Sequence, residues 1–173
     1  MDEIKHYDKA AHDFYQKQNF IPIPLLTWDL FAENYKTTND SLKDLVNFNK
    51  IAVSNKWDSN ISYKNEVLDK NYVVIVTDKT LNIIHTTKNI YTMSGYTTEE
   101  ILGKKPKIFQ GKLTCKKTIS TIGKAVKNNA PFEETVLNYR KDGSTYNCWI
   151  KGNPIKNTRG NVVNFIAFEK EIS

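Results

Sequence analysis

A chain of 173 residues, 39% of them hydrophobic, can bury one domain core with an accessory element, but not two ordinary domains. No apolar run reaches the roughly 20 residues of a membrane span, and the opening Met1-Asp2-Glu3 lacks the basic start and apolar middle of a signal peptide, so a soluble, cytoplasmic protein is expected. The formal charge of +6 raises nucleic acid as a partner, but the positive charge is scattered lysine with arginine only at Arg140 and Arg159, which argues against a specific reader.

The chain divides near residue 70, with a helical extension over 1–66 and a domain over 67–173. In residues 2–18, Ile4, Tyr7, Ala11, Phe14 and Tyr15 make the stripe of an amphipathic helix. Pro22 and Pro24 then force an extended run. Thr27 reads as an N-cap for a short helix carrying Trp28, Leu30, Phe31 and Tyr35, and Asp40-Ser41 as the start of another through about Asn55. Trp57 to Asn60 reads as a turn, and 61–70 as a short helix or linker.

Beyond residue 70 the period becomes that of strands. Tyr72–Thr77 and Leu81–Thr86 flank the turn Asp78-Lys79-Thr80 and predict a hairpin. Thr97-Thr98-Glu99-Glu100 is a capping motif for a helix from Glu99 to Leu102, closed by Gly103. A longer helix starts at Thr114 or Thr118 and runs to Lys127, with Ile119, Ile122 and Val126 inward. Strands follow at about 132–140, 145–152 and 162–171, the first pair joined by Asp142-Gly143. Helices between two groups of antiparallel strands make an α+β fold.

No enzyme site is visible. His6, His12 and His85 have no triad or metal spacing, no phosphate-cradling glycine motif occurs, and Cys115 and Cys148 lack metal-ligand spacing and read as reduced thiols.

The run Met93-Ser94-Gly95-Tyr96-Thr97-Thr98-Glu99-Glu100-Ile101-Leu102-Gly103 resembles the signature of PAS domains. Blocks at Pro106–Gly111, Asn138–Ser144 and Asn164–Glu169 follow in the family's order and spacing. The resemblance implies a five-stranded antiparallel sheet, order 2-1-5-4-3, with helices on one face enclosing a small cavity. It does not cover 1–66. Within the family the sequence is most similar to the flavin-binding LOV photoreceptors, which raises flavin (FMN or FAD) as a cofactor. The ligand's identity stays open. Pro106 falls where those proteins carry the cysteine that bonds to flavin, and proline has no nucleophile. The two arginines that hold the flavin phosphate fall on Lys107 and Gly123. Of the ring-binding positions, Asn138 and Gln110 match the family, whereas Cys148 stands for an asparagine and Glu169 for the last-strand glutamine. His85 lies on a strand and not on the helix that haem-binding relatives use.

If Asn138, Cys148 and Glu169 face the cavity, as the resemblance implies, strand alternation puts Glu134 and Val136, then Tyr146, Ile150 and Gly152, then Val163, Phe165 and Ala167 on the same inner face. Such a wall suits a small-molecule site and an ordinary core alike, and an empty or filled core is the favoured reading. Cys148 reads as a core thiol, and Glu169 as a carboxylate near a strand end that reaches water. Leu137, Tyr139, Asn147, Trp149, Ile166 and Phe168 face outward, and an apolar patch of that size calls for a cover or an interface. Trp28, Leu30, Phe31, Leu42, Leu45 and Val46 are the expected cover, with any remaining patch making a homodimer. The expected function is that of a stand-alone sensory module, not an enzyme, relaying a signal through association with itself or a partner signalling protein. The chain ends at Ser173 just after the last strand, so output passes to a partner in trans unless the sequence is a fragment. A flavoprotein lacking the reactive cysteine and a ligand-free dimerisation scaffold are the alternatives.

Overall fold

The structure, a computed structural model, describes residues 26–58, 63–69 and 71–173, with side chains described at 32, 35, 36 and from 38 onward. The expected helix over 2–18, most of the proline run and the side chains of Trp28, Leu30 and Phe31 lie outside the described residues. Contacts divide the chain into two units, 1–37 and 38–173. What is described of the first is the opening of helix α1 (Leu26–Ser54).

Helix α1 is one element where two were expected. Asp40-Ser41 has the chemistry of a helix start, but no glycine or proline lies between Leu26 and Ser54, so nothing breaks the preceding turn. A single turn, α2 (Lys64–Leu68), precedes strands β1 (Val73–Asp78) and β2 (Ile83–Thr86). Helices α3 (Ile90–Ser94) and α4 (Thr98–Ile101), a 3-10 turn at Pro106–Phe109 and helix α5 (Lys116–Lys127) follow. Strands β3 (Phe132–Tyr139), β4 (Thr145–Lys156) and β5 (Val162–Ile172) complete the chain. The capping box at α4 forms as read: the Glu100 carboxylate accepts the Thr97 backbone N–H at 2.9 Å. Gly95 and Gly103 take the left-handed conformation that ends α3 and follows α4.

The sheet has the expected order, β2-β1-β5-β4-β3, with every pairing antiparallel. β1 is buried on both sides, which explains its unbroken apolar run. Its inner residues Val73 and Ile75 join a core cluster with Ile83, Ile90, Met93 and Ile101. Its outer residues Val74 and Val76 join Phe48, Trp57, Ile166 and Phe168.

The outer face is covered by residues of 45–57 and 63–67, but not by all the residues expected. Leu45, Phe48, Ile51 and Ala52 of α1 face the sheet, whereas Leu42 and Val46 point to solvent. The segment after α1 is stapled down: Trp57 Nε1 donates to Asn164 Oδ1 at 2.8 Å, and Asn164 Nδ2 to the Thr77 carbonyl at 3.0 Å. Buried Asp44 sits over the β2 edge, accepting the Lys88 backbone N–H at 2.9 Å, 3.9 Å from His85 Nε2. Burial pushes its carboxyl up to about 6 against that hydrogen bond and the Lys88 charge. Burial pulls the His85 imidazole down. One turn earlier, Asp40 pairs with Lys88 Nζ at 2.6 Å.

Candidate functional site

Between the inner sheet face and the helical layer lies a cavity of about 370 Å³, at the lower end of the roughly 300 to 1,000 Å³ usual for small-molecule sites. The core is therefore not filled, contrary to one of the expectations above. Ile75, Val136, Ile150, Phe165 and Ala167 give the sheet side an apolar wall. Opposite stand Pro106, Phe109, Ile119, Ile122 and Val126, from the 3-10 turn and α5. Gly152 lets the Phe132 ring lie close against the sheet, because a side chain there would run into that ring.

A few polar groups break this wall. Glu169 on β5 is only 4% exposed. It does not reach water as expected, because the neighbouring strands enclose it, with Val73 of β1 on one side and Ile150 of β4 on the other. Burial pushes its carboxyl up to about 7, and the Cys148 thiol, donating to Oε2 at 3.7 Å, holds it back only in part. Burial and that neighbouring carboxyl push the Cys148 thiol well up in turn, so it is a protonated core group and not a reactive thiolate. Asn138 lies on β3, buried, beside the Tyr146 hydroxyl, which makes no hydrogen bond of good geometry. Thr77 Oγ1 on β1 is buried without a partner and lines the other end of the cavity. Thr77 pairs with Phe165 and Val73 with Glu169, so Thr77 and Glu169 stand four residues apart along the strands, or about 13 Å at the strand rise.

Of the sequence-derived candidates, the structure brings Asn138, Gln110, Lys107 and Glu169 to one cavity. Cys148 is fully buried behind Glu169 and is not in the wall. Glu134 is likewise absent from the wall, and Val163 packs with the outer cluster, because a register shift between Ile155 and Lys156 reverses its side. Tyr139, expected outward on the edge strand, packs on Gly111 and accepts the Leu113 N–H at 2.9 Å. Lys105 and Thr77 were not anticipated; alternation along β1 from Ile75 is the signal that places Thr77.

The sequence profile of the PAS domain matches residues 70–173, more than half of the chain. Phototropin-2 of Oryza sativa subsp. japonica is 34% identical over 91 residues, 53% of this chain and 10% of that protein. Protein TWIN LOV 1 of Arabidopsis thaliana is 33% identical over 92 residues, 53% of this chain and 23% of that protein. The chain thus spans a quarter or less of the length of these curated relatives. Among solved structures, one described as "Flavin Analogue Sheds Light on Light-Oxygen-Voltage Domain Mechanism" superposes with a TM-score of 0.61 at 25% identity, covering 66% of this chain and 87% of that one. With its sheet order, inner cavity and sequence blocks, the chain belongs to the PAS domain family and is similar to its LOV subgroup.

Proposed function

We propose that this chain is a sensory module in which the inner cavity receives the input and the covered outer face delivers the output. One observation carries the reading: β5 serves both faces. Phe165, Ala167 and Glu169 line the cavity, while Ile166 and Phe168, between them in sequence, pack under α1 and Trp57. A displacement of β5 by cavity contents changes the seat of Phe48 without any further device. Association with a partner or a second copy is then governed by how α1 is held. The test is hydrogen exchange of the amides from Asp44 to Ser54 in wild type and in Val136→Phe. That substitution fills the cavity from β3, which has no residue in the outer cluster. Altered exchange in α1 with the rest of the sheet still protected supports the reading. Unchanged exchange in a folded variant overturns it.

A flavin-binding reading is favoured by the Asn138 and Gln110 amides in the cavity wall. These residues fit a flat heterocycle with donors and acceptors on its edge. The phosphate end fits less well: Lys107 is an exposed ammonium, and Gly123 leaves open space where a second cation is needed. When bound, a flavin supplies blue-light absorption and redox chemistry. Asn138 and Gln110 are the residues that would hold its ring, and Glu169 would donate a hydrogen bond when protonated and accept one when ionised. No thiol reaches the wall, since Pro106 occupies that place, Cys115 is exposed and Cys148 is enclosed. A blue absorption band in freshly purified protein supports this reading; a colourless protein that gains no band on incubation with FMN or FAD excludes it.

A further inference from the structure

A second hollow of about 590 Å³ adjoins the cavity at its Thr77 end. It opens between the β1–β2 turn, the end of α5 and the β4–β5 turn. Its rim is polar, with Lys79, Lys127, Asn129 and Asn161 exposed around it. Leu81, Val126 and Phe165 line both spaces, so these three side chains are the partition between a solvent-facing cleft and the apolar interior.

Leu81 holds this position at a conformational cost. Its φ is +66°, in the left-handed region that turns usually reserve for glycine, asparagine or aspartate. A leucine kept there points to a requirement for its side chain, and the residue faces the cavity mouth.

The charges around the two spaces are uneven. Apart from Glu169, buried at the far end, every charged side chain lining either space is a lysine: Lys105 and Lys107 on the cavity, Lys79 and Lys127 on the cleft. Neither Lys79 nor Lys127 forms an ion pair among the described residues. The neighbouring carboxylate, Asp78, is already engaged by Thr80 and Asn82.

We propose that this cleft is the vestibule of the cavity and that the ligand is an apolar acid: its body passes Leu81, Val126 and Phe165 into the interior, and its anionic group stays between Lys79 and Lys127. The proposal rests on the cavity being the input site and adds the class of ligand and its way in. Desolvating the apolar body supplies most of the affinity, while the two exposed ammonium groups select the acid over its neutral counterpart.

The test titrates the full chain with two fluorescent probes sharing one aromatic body. These are 1-anilinonaphthalene-8-sulfonate and the uncharged N-phenyl-1-naphthylamine. The sulfonate should bind more tightly. Paired Lys79→Ala and Lys127→Ala substitutions should weaken it by roughly three- to tenfold, as expected of two exposed charge contacts, and leave the neutral probe unchanged. Lys105→Ala with Lys107→Ala should have the smaller effect. Leu81→Gly should speed association of both probes in stopped-flow mixing. An equal or larger loss from the Lys105 and Lys107 pair, or no preference for the sulfonate, overturns the vestibule. The cavity reading fails separately: if Val136→Phe leaves neutral-probe binding unchanged, the probe does not occupy the interior, whichever lysines matter.

Discussion

Glu169 is the residue at which burial and chemistry conflict most sharply. Its carboxyl is pushed from the ordinary 4.5 up to about 7, so between these values the folded chain holds a proton that the unfolded chain has released. Stability therefore falls as pH rises across that window, by on the order of 3 kcal/mol in total, and stays at the lower level above it. Glu169→Gln keeps the shape and removes the ionisation. The variant is expected to match wild type near pH 4.5 and to exceed it by about 2 to 3 kcal/mol at pH 8, read from urea midpoints at a series of pH values. Parallel pH profiles for the two proteins would show that Glu169 is not the group held protonated. Burial also pushes Asp44 up, to about 6, so a shallower slope in the same direction should persist in the variant below that pH. The inward direction of Glu169 was legible from alternation along β5. Its burial was not, because a carboxylate three residues from a strand end reaches water or not according to how closely the neighbouring strands, here at Val73 and Ile150, enclose it.

Among the elements, α1 shows where reading from the sequence stops. Counting apolar side chains chose Leu42, Leu45 and Val46 as the buried stripe; Leu45 does pack on the sheet, yet Leu42 and Val46 are 51% and 52% exposed. The face that docks contains Asp44, Leu45 and Phe48, and a carboxylate in such a stripe argues against burial until its partner is known. That partner is the backbone of Lys88, 44 residues away in sequence. Four of the five strands were read to within two residues, and β4 runs four residues past its expected end at 152; alternation and turn chemistry are local, whereas the seating of a helix depends on what lies across from it. Phe48 is fully buried against His85 and Tyr63, and Phe48→Ala should cost about 3 to 5 kcal/mol. Val53 on the same helix is 79% exposed, and Val53→Ser should stay within about 0.5 kcal/mol. Thermal and urea unfolding of both variants measures the difference. Equal effects would mean that α1 does not dock through its Phe48 face.

For the molecule as a whole, the segment that defines the family and the unit that folds are not the same. The PAS match begins at residue 70, whereas the compact unit begins at Thr38. The difference contains Phe48, Trp57, Tyr63 and Val67, all buried against the outer face of the sheet. Removing it uncovers Val74, Val76, Ile166 and Phe168 together, a contiguous apolar surface on strands at the centre of the sheet. Such a surface is stable only when covered. It also strips the buried Asn164 side chain of the Trp57 hydrogen bond. A chain of residues 38–173 is therefore expected to unfold in one cooperative step. One of residues 70–173 should lose several kcal/mol, the usual consequence of exposing a core-sized apolar face, or hide that face by self-association. Urea unfolding with light scattering at several concentrations distinguishes the two chains. If the shorter one is monomeric with the midpoint of the longer, residues 38–69 are an accessory, and the route from cavity to α1 through β5 loses its receiving end.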